Sequence, residues 1–199
     1  MAEPSGPGLP EGRSAGSPHS GVSDGPDQGA PSADPGPVEP ARHRTGLIVG
    51  RFDPPHLGHS YMIDWAAGRV DRLAVYVNSG AADAAPGALR AGWLAELHPQ
   101  VTVVEVRHAL RTDWGDEELW LRWIELFRGH WPYDDGPHAV FSSDPYVDGI
   151  AARLGAVPVV VDPARATVPV SATMIRTSPS LHLDRLAPPV RRWVEQHWC

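Results

Sequence analysis

Two histidines flank a glycine in the segment Gly50-Arg51-Phe52-Asp53-Pro54-Pro55-His56-Leu57-Gly58-His59. The segment follows a short apolar run and opens a helical pattern. A helix N-terminus offers free backbone N–H groups and the positive end of the helix dipole, both suited to phosphate. Imidazoles at that position can donate hydrogen bonds to phosphate oxygens as charge develops. Gly58 would let the backbone approach a phosphate closely, and Arg51 adds a permanent cation able to fork onto one. Ordinary loop histidines are the plain alternative in a chain with 10 of them, and a zinc site lacks a third ligand at a familiar spacing. A second element stands far downstream, Ser171-Ala172-Thr173-Met174-Ile175-Arg176. Ser171 and Thr173 can cap a helix start, and the same start could hold a triphosphate while Arg176 neutralises a leaving group.

These residues need a scaffold, and the apolar pattern supplies one. Short apolar runs at residues 46–49, 73–77, 101–106, 139–141 and 157–161 read as strands. Helical segments fall at 60–69, 89–97, 117–127 and 147–154, and a closing helix at 189–198. Strands alternating with helices imply an α/β fold, a parallel five-stranded sheet with helices on both faces. In such sheets ligands bind beyond the carboxyl ends of the strands, which is where the His56–His59 loop falls. The fold is expected over residues 45–199. Residues 1–44, rich in Pro, Gly, Ser and acidic side chains, are expected to form a disordered tail.

Composition removes several classes. All 17 basic residues of the Lys+Arg count are arginine. A Walker A loop, a Schiff-base enzyme and a protein kinase each need a lysine, so none operates here by its usual route. The lone cysteine, Cys199, allows no disulfide framework and no cysteine zinc site within one chain. A formal charge of −7 argues against a nucleic-acid surface. No apolar run approaches the roughly 18 residues of a membrane span, and the start lacks the basic and apolar regions of a signal peptide, so a cytoplasmic protein is expected.

The His-x-Gly-His loop and the Ser-x-Thr-x-x-Arg element together resemble the HxGH nucleotidyltransferase superfamily, whose fold is Rossmann-like. Between residues 45 and 193 the chain is most similar to nicotinamide-mononucleotide adenylyltransferases, namely the adenylyltransferase domain of the multifunctional bacterial NAD-biosynthesis regulator and the archaeal enzymes. Three features carry that likeness: Arg51 between Gly50 and Phe52, Val161-Asp162-Pro163-Ala164-Arg165 ahead of the Ser171 element, and Leu119-Trp120-x-x-Trp123-Ile124. The resemblance implies transfer of the AMP part of ATP to nicotinamide mononucleotide, with NAD and pyrophosphate as products and Mg²⁺ accompanying ATP. It places His56, His59 and Arg176 at the reacting phosphates. Arg51, Gly58, Arg90, Ser171 and Thr173 are then expected on the ATP phosphates, and Trp120 on the nicotinamide ring. Trp120 can equally be a packing residue, since it shares a helical face with Trp123 and Phe127. Three departures stand out: Ala172 replaces a usual glycine, Gly92 a frequent basic residue, and residues 80–87 are small and alanine-rich. The regulator's kinase and DNA-binding domains have no counterpart in the reading, and a homo-oligomer stays open. Two other readings stay open as well: a transferase using another phosphate monoester or CTP, and an inactive sensor that binds NAD or ATP.

Overall fold

The computed structural model describes residues 42–113 and 115–199. The expected tail lies outside them except for its last residues, and His43 and Arg44 already belong to the first strand. Five strands form one sheet: β1 (His43–Gly50), β2 (Val70–Ser79), β3 (Thr102–Arg107), β4 (Ala139–Ser142) and β5 (Val157–Val160). All pairings are parallel, in the order β3-β2-β1-β4-β5. Six helices connect or follow them: α1 (Leu57–Ala67), α2 (Gly87–Leu97), α3 (Glu117–Gly129), α4 (Val147–Leu154), α5 (Ala172–Thr177) and α6 (Pro188–His197). This is a Rossmann-like α/β sheet.

The central strand alternates between two cores, as the period of two demands. Leu47 and Val49 join Tyr76 beneath α3 and α4, where Leu119, Trp120, Trp123, Ile124 and Phe127 form the α3 stripe. Ile48 joins Leu73, Val75 and Val77 beneath α1 and α2, against Met62, Ile63 and Leu94. Because both faces of β1 are covered, its sequence is continuously apolar instead of alternating. A third, smaller cluster ties Ile175 of α5 and Val190 and Val194 of α6 to Trp93 of α2.

Several elements extend beyond their apolar runs. β2 begins at the buried Val70, with Asp71 and Arg72 exposed after it; the parallel ladder to His43 and Thr45 holds that end together with the Val70 side chain. α1 begins at Leu57, earlier than the apolar period suggests, because His56 caps it. The chain leaves β1 toward β2 on one side, and later returns to place β4 on the other. That reversal opens a crevice at the carboxyl ends of β1 and β4.

Candidate active site

At the end of β1 the chain turns through Phe52, whose φ of 51° lies in the left-handed region. The Phe52 ring is buried and meets His59 edge-on, with centroids 4.8 Å apart. Asp53 follows, 2% exposed, and its carboxylate accepts the N–H groups of Ala84 and Ala85 at 2.9 Å each. A buried carboxylate with two backbone donors fixes this loop to the loop after β2.

His56 and His59 cap α1 reciprocally. The His59 N–H donates to His56 Nδ1, and the His56 N–H donates to His59 Nδ1, each at 3.3 Å. Both Nδ1 atoms are therefore acceptors, so each neutral ring carries its proton on Nε2. The rings stack with centroids 3.6 Å apart and planes 17° from parallel. Burial pushes the His56 pKa down to about 4, helped by the nearby Arg165 charge. His59 is pushed well below its ordinary value by burial, then by His56 and Arg165. The pair thus presents neutral N–H donors. Gly58 suits the close pair, since a Cβ there would lie 3.1 Å from His56 Nδ1 and 3.3 Å from Val170 and would press both outward by a few tenths of an ångström.

These rings line a cavity of about 230 Å³ at the β1–β4 crevice. Gly50, Ser142, Ser143 and Tyr146 form the strand-end wall, and Asp162, Arg165, Ser171 and Thr173 the opposite one. Arg165, at φ 51°, pairs with Asp144 at 3.0 Å. Its turn is braced by the Asp162 carboxylate, which accepts the Ala166 and Thr167 N–H groups at 2.9 Å. Ser171 caps α5 by accepting the Met174 N–H at 3.2 Å. Arg176 is exposed and lines neither this cavity nor the slot beside it, and it donates to the Asp53 carbonyl and, at 3.3 Å, to Thr173 Oγ1.

A second cavity of about 180 Å³ shares Val49, Gly50 and Tyr146 with the first. Trp120, Trp123 and Phe127 make it an aromatic slot, and Arg51, Asn78 and Thr112 give it a polar end. The Arg153 guanidinium lies 4.4 Å over the Trp120 ring and pairs with Glu117 at 2.6 Å. Gly149 allows α4 this close, since a Cβ there would lie 2.9 Å from the indole.

Residues 47–88, from β1 through the histidine loop to the start of α2, match the family model described as cytidylyltransferase-like. A nicotinamide-nucleotide adenylyltransferase of Aeropyrum pernix is 58% identical over 33 residues, 17% of this chain and 19% of the relative. Over that segment, which holds the histidine loop, the chain is thus similar to nucleotidyltransferases. Its fold also resembles a NadR protein solved with NR (TM-score 0.54, 21% identity, 73% of this chain and 44% of that one). A bifunctional NMN adenylyltransferase/ADP ribose pyrophosphatase from Francisella tularensis, complexed with AMP and a Mn ion, is similar over 68% of this chain and 41% of its own (TM-score 0.51, 15% identity). The chain thus spans less than half the length of either structure and about a fifth of the Aeropyrum relative.

Within the domain, His56, Gly58, His59, Ser171 and Thr173 line one cavity, although the last two are over 100 residues from the first three. Arg51 and Trp120 line the neighbouring slot instead. Arg90 needs correction. It is 0% exposed, and its guanidinium donates to the carbonyls of Ala85, Arg51 and Asn78 and to Asp83. With its donors so committed it braces two loops and is not presented to a phosphate. The cavity arginine that sequence reasoning missed is Arg165. Its signal was the turn-forming Asp162-Pro163 pair just before it, after a strand end.

Proposed function

We propose that the domain transfers the adenylyl group of ATP to the phosphate of nicotinamide mononucleotide, giving NAD and pyrophosphate. The observation that carries this reading is the shared wall: a cavity built for phosphate abuts an aromatic slot sized for a flat ring, with Val49, Gly50 and Tyr146 common to both. The activity for which the Aeropyrum relative is named supports the same choice.

An anionic oxygen of the mononucleotide phosphate attacks the α-phosphorus in line. A new P–O bond forms, the bond to the bridging oxygen of the β-phosphate breaks, and its electron pair leaves with pyrophosphate. The attacking phosphate is already ionised, so no general base is needed. Catalysis then rests on positioning and charge stabilisation. His56 and His59 donate their Nε2–H groups to phosphate oxygens, and Arg165 and Arg176 supply cations on the other side. Mg²⁺ enters as part of the Mg–ATP substrate, carried by the triphosphate. Asp53 and Asp162 are already committed to backbone N–H groups. The pyridine ring lies in the slot against Trp120, whose face suits it.

The test is product analysis by mass spectrometry with ATP, Mg²⁺ and nicotinamide mononucleotide, with CTP and other phosphate monoesters alongside. NAD with equimolar pyrophosphate is expected. Turnover only with CTP or another ester would replace the substrate assignment. Tight ATP or NAD binding with no turnover would leave a sensor. His59→Ala should lower turnover by about 100-fold or more while the domain stays folded; near-full activity in that variant defeats the role assigned to it.

A further inference from the structure

The aromatic slot contains a polar atom that the fold leaves unmatched. Asn78 stands near the carboxyl end of β2, and its side-chain Oδ1 is buried without a hydrogen-bond partner among the described residues. Its backbone carbonyl, by contrast, accepts from Arg90 at 3.2 Å. A buried acceptor is costly to keep unmatched, so a ligand donor is its natural complement. The charges beside it are two against two: Arg51 pairs with Asp83 at 2.7 Å and lies 3.9 Å from Asp53, and the buried Arg90 pairs with the Asp83 carboxylate as well. Asn78 thus lines the slot walled by Trp120, Trp123 and Phe127, its unmatched acceptor buried just behind that lining within a nearly neutral surround.

We propose that Asn78 reads the carboxamide on the pyridine ring, so that the domain takes the amide mononucleotide and rejects the acid. This rests on the function proposed above. A carboxamide N–H can donate to Oδ1 and complete it. A carboxylate has no donor, sets its charge against the carbonyl oxygen, and must shed its water in an apolar slot with no unpaired cation to meet it.

Rates with the two mononucleotides, amide and acid, at saturating Mg–ATP would test the proposal in the full chain and in two variants. The unmodified protein should favour the amide by about tenfold or more in kcat/KM. Asn78→Asp keeps an acceptor in place and has no N–H, so it should retain amide turnover and use the acid still less. Asn78→Leu removes the acceptor and should bring the two substrates within about twofold, through the KM for the amide and not the KM for ATP. Equal or better use of the acid by the unmodified protein overturns the proposal, as does an unchanged ratio in Asn78→Leu. Loss of amide turnover in Asn78→Asp overturns it too, because the side-chain N–H would then be the reading group. Absence of any dinucleotide from either substrate would sink the adenylyltransferase reading and this inference together, whereas dinucleotide formed from both alike would sink this inference alone.

Discussion

An imidazole pair stacked 3.6 Å apart cannot carry two positive charges cheaply, and burial together with Arg165 keeps the rings neutral at ordinary pH. That neutrality has a measurable sign. His56 titrates near 4 in the folded chain and near 6.5 once unfolded, so between those values the unfolded state binds more protons. Stability contributed by neutral His56 is present above pH 6.5 and falls as the pH drops toward 4, by on the order of 3 kcal/mol. Urea unfolding across this range should show the loss, and His56→Asn should flatten it; an unchanged slope would mean the ring is not buried as described. A bound triphosphate acts in the opposite direction, drawing protons onto the pair. Its affinity should therefore rise as the pH falls from 7 to 5, with proton uptake visible by calorimetry in buffers of differing ionisation enthalpy.

The histidine loop is held as a unit from outside itself, and Arg90 is its main brace. Replacing this buried group by Leu strips Asp83 of its buried cation, leaving it only Arg51 and the Gly80 N–H, and takes a donor from the carbonyls of Ala85, Arg51 and Asn78, which should cost about 3–5 kcal/mol in unfolding free energy. Arg51→Ala removes an exposed partner of the same carboxylate and should cost under about 1 kcal/mol. Equal losses in the two variants would refute the bracing role. This contrast also marks what was legible beforehand. The placing of His56 and His59 at a helix start could be read because they lie within one turn of each other, although their reciprocal cap was not, and β1 could be read because burial on both faces leaves an unbroken apolar run. Arg90 could not, since its partners at Arg51, Asn78 and Ala85 become neighbours only when two loops fold over α2. Arg165 was hidden for a related reason: it reaches the histidines only through the β4–β5 crossover. Trp120 was read both as core and as a ring-stacking residue; it packs in the core beneath Arg153 and also lines the slot, where the stacking role is a proposal.

Across the whole molecule the three apolar clusters divide the labour unequally. The two that sandwich the sheet hold the strand ends, whereas the small third cluster alone carries α5 and α6. Val190→Ala and Val194→Ala should each cost roughly 1–3 kcal/mol, and loss should show first in faster amide exchange over α5 and α6, with β1 and β2 still protected. Uniform exchange over the whole domain would show instead that the clusters open together. The joint wall of Val49, Gly50 and Tyr146 has a consequence of its own. In the reaction proposed, each substrate would grip one cavity, whereas a molecule joined across that wall would grip both, each half raising the effective concentration of the other at its cavity. The joined product should accordingly leave more slowly than either substrate, so that its departure, not the bond change, sets the pace of turnover.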